Sequence, residues 1–208
     1  MLNRIKQISL LLFTVFAVAA CSDNNQPTEG VQFKALPKPL SGAMLPEVTE
    51  VFSLTCGHCR TMESVIPQLE QQTGKKFGKL HVTFNESAQI SAFIFYTAVM
   101  QLNDVPDHAF MEELFAAVQM GPEVSGLEKQ QALEAAFEKR NLVSPYQLEK
   151  DQQDQMFVLF QQADNISQIA QINSVPTFIV NGKYQVITSG HQNAEDIGKT
   201  IQFLLTKP

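Results

Sequence analysis

Two cysteines separated by two residues, Cys56-Gly57-His58-Cys59, constrain this chain more than any other part of its sequence. They follow a short strand-like run that ends at Leu54, and they precede a segment with helical periodicity. One helical turn would bring both sulfur atoms within disulfide distance. Cys56 would lie at the start of the helix, where unpaired N–H groups and the helix dipole favour a thiolate, with Cys59 one turn further in. This placement favours redox chemistry over an inert structural disulfide or half of a zinc site.

The remaining cysteine and the histidines do not extend this motif into a metal site. The chain holds three cysteines and four histidines, and the histidines are dispersed along the sequence. The chain therefore cannot form a four-cysteine zinc site, and no spacing of its cysteines and histidines indicates a site for another metal. We expect no cofactor beyond the Cys56–Cys59 disulfide itself. His58 can supply positive charge or a hydrogen bond to a Cys56 thiolate, which would make the disulfide a stronger oxidant.

The first twenty residues differ from the rest of the chain and predict an export signal, residues 1–20. Arg4 and Lys6 precede an apolar run without any acid, and this run is shorter than the roughly 20 residues of a transmembrane helix. An uncleaved membrane helix is the alternative. The run ends Val18-Ala19-Ala20-Cys21, which resembles a bacterial lipobox and makes Cys21 a candidate for lipidation. Ordinary cleavage, which would leave Cys21 as an unpaired thiol, is a further alternative.

Composition and periodicity divide the rest of the chain into segments. Residues 21–46 are rich in Asn, Gln, Pro, Gly and Lys, and they predict a lipid-anchored tether with a leading strand near 31–33. Residues 47–86 and 166–208 carry the strand patterns and predict two parts of one α/β domain. Residues 87–165 predict a helical insertion between these parts.

Strand signals lie on both sides of the insertion. Runs over 48–54 and 80–84 predict two strands, and two further runs flank Asn181-Gly182, a dipeptide that favours a two-residue hairpin turn. Pro176 follows Val175 where the hairpin begins. It is either a trans proline at a strand entry or a cis proline that offers the Val175 backbone to a bound peptide.

Most helix signals in the sequence mark where a helix begins or is interrupted. A helix through 62–69 contains Pro67 and is expected to kink there. Capping-box spacing predicts helix starts at Ser125 and Ser144 within the insertion. Asn193 is expected to cap the last helix of the chain.

These features together resemble the DsbA family of the thioredoxin superfamily, from about residue 31 to the end of the chain. Residues 52–59 resemble its active-site strand and motif, and residues 175–185 resemble its cis-proline hairpin. The resemblance implies an α/β, thioredoxin-like fold with a helical insertion domain. It also implies that Cys56 is the nucleophile and that Cys59 resolves the mixed disulfide.

The resemblance implies further site residues. Val175 and cis-Pro176 would contact the substrate, and a buried acid and a lysine of the family correspond to Glu50 and Lys79. A buried Glu50 would have a raised pKa and could relay the proton of Cys59, whereas an outward-facing Glu50 would be a solvated charge. Gly57 departs from the family pattern, which usually has proline there. The Gly-His dipeptide is more familiar from protein disulfide isomerases.

The expected function is a periplasmic thiol:disulfide oxidoreductase, tethered to the membrane by a lipid on Cys21, that donates the Cys56–Cys59 disulfide to unfolded exported proteins. The resemblance implies a DsbB-type membrane protein as the reoxidation partner. Alternatives are a soluble periplasmic form, a reductase or isomerase fed by a membrane electron donor, and a copper-binding lipoprotein that uses the same thiols. A net charge of -6 disfavours nucleic acid as a partner.

Overall fold

The computed structural model describes residues 26–40, 42 and 45–207. Five strands lie in this part of the chain: β1 (Phe33–Ala35), β2 (Val48–Phe52), β3 (Gly78–His81), β4 (Thr177–Val180) and β5 (Tyr184–Val186). The helices are α1 (Gly57–Glu63), α2 (Ile66–Thr73), α3 (Glu86–Leu102), α4 (His108–Val118), α5 (Gly126–Glu138), α6 (Lys150–Ile169) and α7 (Ala194–Thr206). A short 3-10 turn covers Thr188–Gly190.

The five strands form one mixed sheet in the order β1-β5-β4-β2-β3. β2 and β3 run parallel, and α1 and α2 connect them. β4 lies antiparallel to both β2 and β5. Because α3 to α6 lie in sequence between β3 and β4, the helical insertion expected from the sequence enters between two strands of the sheet, and the α/β class is confirmed.

Each face of the sheet covers its own hydrophobic core. In β4, Phe178 packs with α2 and α7, whereas its neighbour Ile179 belongs to the core beneath the insertion. This alternation follows from the two-residue period of a strand. The core beneath the insertion also contains Cys59, so the second cysteine of the motif belongs to the packed interior. The motif therefore lies where the sheet, α1 and the insertion meet.

Two predicted helix features are wrong. Pro67 does not kink one long helix, because the chain forms two helices and Pro67 lies in the first turn of α2, where its missing N–H costs no hydrogen bond. No helix starts at Ser144, whose carbonyl instead accepts a hydrogen bond from Gln147 N–H at 3.0 Å. The helix α6 begins at Lys150 after a capping box formed by Glu149 and Gln152.

The other predicted ends of helices and strands are found at the expected residue or within a few residues of it. Ser125 forms the expected capping box, and Asn193 caps α7. The hairpin loop has three residues rather than two, since Val180 pairs with Tyr184, although Asn181 and Gly182 both adopt positive φ as expected. The leading strand begins at Phe33, and β3 ends at His81. Within the described residues, no helix combines the length and apolarity that a membrane crossing requires.

Candidate active site

The two motif cysteines occupy the junction between β2 and α1. Cys56 is the N-cap of α1, and its Sγ accepts a hydrogen bond from the N–H of Cys59 at 3.2 Å. The Cys56 side chain is partly exposed, whereas Cys59 is buried, and both are free thiols. An N–H group of the first helical turn therefore faces the accessible sulfur, as expected for a cysteine at a helix start.

The pKa of Cys56 falls from its ordinary value of 9.0 to about 6. The largest cause is a hydrogen bond from the Cys59 thiol; burial opposes it, and the backbone N–H groups of Cys59 and His58 act in the same direction as the thiol. The charge of His58 contributes least of these causes, and its side chain is exposed. At neutral pH Cys56 is mainly a thiolate, the reactive form of the group.

Cys59 has the opposite electrostatic environment. Its hydrogen bond to Cys56 raises the pKa of Cys59, and burial and the negative charges of Cys56 and Glu50 raise it further. Cys59 therefore keeps its proton while Cys56 is a thiolate. One accessible thiolate beside one buried thiol is the arrangement in which the first sulfur exchanges with a partner and the second closes the disulfide.

The backbone at Val175 and Pro176 lies beside the reactive sulfur. The Val175–Pro176 peptide bond is cis. The carbonyl oxygen of Val175 lies 3.7 Å from Cys56 Sγ, within the distance for a thiol hydrogen bond. A groove of about 530 Å³ extends from this point; we call it the cis-proline groove, and its lining includes His58, Met62, Val65, Pro176, His191 and Ile197. The Val175 carbonyl is a backbone hydrogen-bond acceptor at this end of the groove.

Glu50 and Lys79 form a buried ion pair beneath the motif. They are directly opposite each other in the parallel pair β2 and β3, and Lys79 Nζ donates a hydrogen bond to Glu50 Oε2. Glu50 therefore faces the interior rather than solvent, and its Oε1 is buried without a hydrogen-bond partner. Burial raises the pKa of Glu50 more than Lys79 lowers it. Burial lowers the pKa of Lys79, but attraction to Glu50 and Glu63 outweighs it, so the net shift is upward.

Two polar residues that the sequence did not place at the site, Gln119 and His81, hydrogen bond to the β2–α1 junction. Gln119, after α4, donates hydrogen bonds to the carbonyl oxygens of Leu54 at 2.8 Å and Cys56 at 3.2 Å. His81 Nε2 accepts the N–H of Leu54 at 2.9 Å, and burial lowers the pKa of His81 to about 3, so this ring is a neutral acceptor. All three contacts join residues at least 27 positions apart in sequence, so no local signal reveals them.

The sequence analysis also did not predict that Glu63 and His108 belong to the site. Lys79 Nζ donates to Glu63 Oε2 at 2.6 Å, and Glu63 Oε1 lies 2.6 Å from His108 Nδ1. The position of Glu63, four residues after Cys59 on the same helix face, was a signal that could have placed it near the motif. His108 comes from α4 and carries no such signal.

Two other expectations concern lipid and metal. Cys21 and the export signal lie outside the described residues. Among the residues that the structure does describe, no group of three or more His, Cys, Asp or Glu side chains is arranged to hold a metal ion.

Comparison with known proteins relates this site to a family. The model of a family described as Thioredoxin matches residues 43–202. The thiol:disulfide interchange protein DsbA of Escherichia coli K12 is 28% identical over 176 residues, which cover 79% of this chain and 79% of that protein. The protein of the same name from Salmonella typhimurium LT2 is 28% identical over 204 residues, covering 88% and 90%.

Solved structures show the same architecture. Pseudomonas aeruginosa DsbA superposes with a TM-score of 0.66 at 23% identity, covering 87% of this chain and 94% of that one. A Proteus mirabilis DsbA variant, in complex with the non-covalently bound peptide PWATCDS, has a TM-score of 0.62 at 21% identity and covers 88% and 100%. These likenesses confirm the thioredoxin-like fold that the sequence predicted.

Proposed function

The chain belongs to the thioredoxin family, and we propose that it is a protein disulfide oxidoreductase that donates its Cys56–Cys59 disulfide to exported proteins. One observation carries the proposal: the thiolate-forming Cys56 is accessible at a helix N-terminus, beside the Val175 carbonyl, while Cys59 is buried. The similarity to DsbA proteins over most of the chain supports it.

The asymmetry of the two cysteines sets the order of the exchange. A substrate thiolate attacks Cys56 Sγ, the Cys56–Cys59 bond breaks, and Cys59 leaves with the electron pair and takes up a proton. A second substrate thiolate then attacks the substrate sulfur of the mixed disulfide and releases Cys56 as a thiolate. The substrate dithiol is oxidised and the enzyme disulfide is reduced. The lowered pKa of Cys56 makes it a good leaving group in the last step.

The cis-proline groove suits an extended, unfolded substrate. A peptide that lies along Val175 can donate a backbone N–H to its carbonyl, as a strand does when it pairs with an edge. The apolar side chains of Met62, Val65 and Ile197 would then contact the residues on either side of the substrate cysteine. The Proteus mirabilis DsbA complex, with its cysteine-containing peptide, supports a substrate of this kind.

Mixed-disulfide trapping tests the assignment. Cys59→Ser should accumulate mixed disulfides with exported proteins through Cys56, because the resolving thiol is lost, and Cys56→Ser should accumulate none. Acid quenching, alkylation and mass spectrometry of the linked peptides identify the sulfur. Trapping through Cys59 in the Cys56→Ser protein, with none in Cys59→Ser, would reverse the roles.

The reduction potential separates an oxidase from a reductase or isomerase. A lowered Cys56 pKa stabilises the reduced protein, so equilibration with glutathione should give a value above about -180 mV, the level of protein disulfide isomerase. A value near about -270 mV, as for thioredoxin, would support the reductase instead.

We place this activity in the periplasm, on a lipid tether at Cys21, with reoxidation by a DsbB-type membrane protein. The export signal over 1–20, the lipobox resemblance and the likeness to DsbA support this placement. Cys21→Ser should release the protein from membranes and leave the activity of the purified protein unchanged. A variant that stays membrane-bound would instead support an uncleaved helix.

A further inference from the structure

Four ionisable side chains form a continuous chain from the buried carboxylate beneath the motif to the protein surface. Lys79 Nζ contacts Glu50 Oε2 and Glu63 Oε2, and the other oxygen of Glu63 contacts His108 Nδ1. The side chains of Glu50, Lys79 and Glu63 are at most 3% exposed, whereas that of His108 is 43% exposed. We call these four residues the buried charge chain. Of the four, His108 alone meets solvent.

The buried charge chain is electrically neutral only if it holds one more proton. Two carboxylates and one ammonium carry a net negative charge, which is costly in a site shielded from water. One proton removes that charge, and two positions can hold it. Glu50 has a buried oxygen without a hydrogen-bond partner, and the imidazole of His108, which is hydrogen bonded to Glu63, can carry a proton on both ring nitrogens.

We propose that His108 is a positioning residue that shares one proton with Glu50 through Lys79 and Glu63, and so sets the pH range in which Glu50 exchanges a proton with Cys59. The inference rests on the proposed function, because it concerns the proton of the resolving cysteine. A positive His108 stabilises ionised Glu63 and, further along the chain, ionised Glu50. Loss of that charge should therefore leave Glu50 protonated up to a higher pH.

The proton step balances with groups that are present or named. When the disulfide re-forms, the Cys59 S–H bond breaks and its proton goes to the Glu50 carboxylate. The Cys59 sulfur attacks Cys56 in its mixed disulfide with the oxidant, and the oxidant's thiolate leaves with the electron pair. The reverse proton transfer accompanies opening of the disulfide. Glu50 lies near enough to Cys59 for its charge to raise the pKa of Cys59, and its Oε1 has no hydrogen-bond partner of its own.

Other charged groups near His108 do not replace this contact. Glu70 on α2 lies close enough to interact with His108 electrostatically, but its hydrogen bonds go to Lys76 and Phe77. On the insertion side, Asp107 lies near Arg140, and Arg140 pairs with Glu113. Glu63 is therefore the acid of the described residues to which the His108 ring is hydrogen bonded.

The structure provides a matched control for a purely structural role. Glu112 on α4 pairs with Arg60 on α1, so this pair joins the same two helices as His108 and Glu63. The side chains of Arg60 and Glu112 are 38% and 51% exposed, respectively, and neither residue belongs to the buried charge chain. Glu112→Gln therefore removes a link between the helices without touching Glu50 or Lys79.

The experiment measures how fast the reduced full-length protein closes its disulfide with glutathione disulfide between pH 5 and 9. Since the chain has no tryptophan, acid quenching and mass spectrometry follow the reaction. His108→Gln keeps a hydrogen-bond donor for Glu63 but removes the charge, and closure should slow about threefold near pH 6 with its pH midpoint moved upward. His108→Lys keeps a cation at every pH and should restore or lower the midpoint. Glu112→Gln should follow the wild type.

Two results would overturn the inference. One is a His108→Gln midpoint equal to that of the wild type; the other is a shift in the same direction for His108→Gln and His108→Lys, which would indicate lost packing rather than charge. Titration of the Cys56 thiolate should shift less than the closure midpoint in every variant, because Glu50 acts on Cys56 only through its charge. If the wild type itself fails to form a disulfide, the proposed function fails, whereas a normal wild type with unshifted variants rejects the role of His108 alone.

Discussion

Replacing Cys59 with alanine should raise the pKa of Cys56, because the hydrogen bond from the Cys59 thiol is the largest cause of its depression to about 6. Serine at the same position keeps a donor and should preserve most of that depression. In a Cys21→Ser background each variant has a single thiol, so the ultraviolet absorbance of the thiolate reports Cys56 without interference.

The expected size follows from the exposure of the site. Cys56 is partly exposed, so solvent screens its surroundings, and we expect loss of one hydrogen bond to raise the pKa by about one unit rather than by the whole depression. At pH 6 the thiolate fraction would fall from about a half to about a tenth, with a parallel loss of alkylation rate by iodoacetamide.

Two comparisons complete the test. His58→Ser should shift the pKa less than Cys59→Ala, because the charge of His58 is the smallest of the named causes. If Cys59→Ala and Cys59→Ser both titrate at the wild-type value, the N-terminus of α1 alone sets the pKa and the reasoning is wrong. A larger shift in His58→Ser than in Cys59→Ala would instead make the imidazole the main cause.

Two further changes test the surroundings of the motif by urea unfolding. Gln119→Ala leaves the carbonyls of Leu54 and Cys56 without their side-chain donor and should lower the free energy of unfolding by about 1–3 kcal/mol. Gln130→Ala, which removes only a bond within α5, should stay within about 0.5 kcal/mol of the wild type, and an equal loss in both would refute the special position of Gln119. Burial raises the pKa of Glu50, so the folded state holds this proton more tightly than the unfolded chain, and wild-type stability should fall as pH rises from about 4.5 through the raised pKa. Glu50→Gln should flatten that slope, and an unchanged slope would show that other groups cause it.

The parts of the fold that sequence predicted are those that short-range chemistry determines. Ser125 and Asn193 cap helices because their side chains reach N–H groups three residues away. Ser144 has the same spacing to its neighbours yet starts no helix: its carbonyl closes a turn with the N–H of Gln147, and α6 begins only after the capping box at Glu149. Similarly, the break before Pro67 separates α1, which contacts α4, from α2, which packs on α7, and periodicity alone does not reveal these contacts.

The candidate site likewise has parts that the sequence predicted and parts that it did not. The motif placed Cys56 at a helix start, but the sequence could not show that the Cys59 thiol, more than His58, lowers the pKa of Cys56. That difference depends on side-chain orientation. Gln119 and His108 reach the site across 63 and 45 residues of sequence respectively, so only the folded chain reveals their contacts.

The contact of Gln119 has a consequence for how such proteins can be recombined. Its amide, which follows α4 of the insertion, binds the backbone of the segment that leads into Cys56. A chimera that takes its insertion from a relative must therefore carry a donor of the same length at this position. Without one, a graft that folds well would still leave the Leu54 carbonyl without its side-chain donor beside the reactive sulfur, whereas the Cys56 carbonyl keeps its bonds from the N–H groups of Cys59 and Arg60. The insertion and the cysteine motif should consequently be exchanged as one unit.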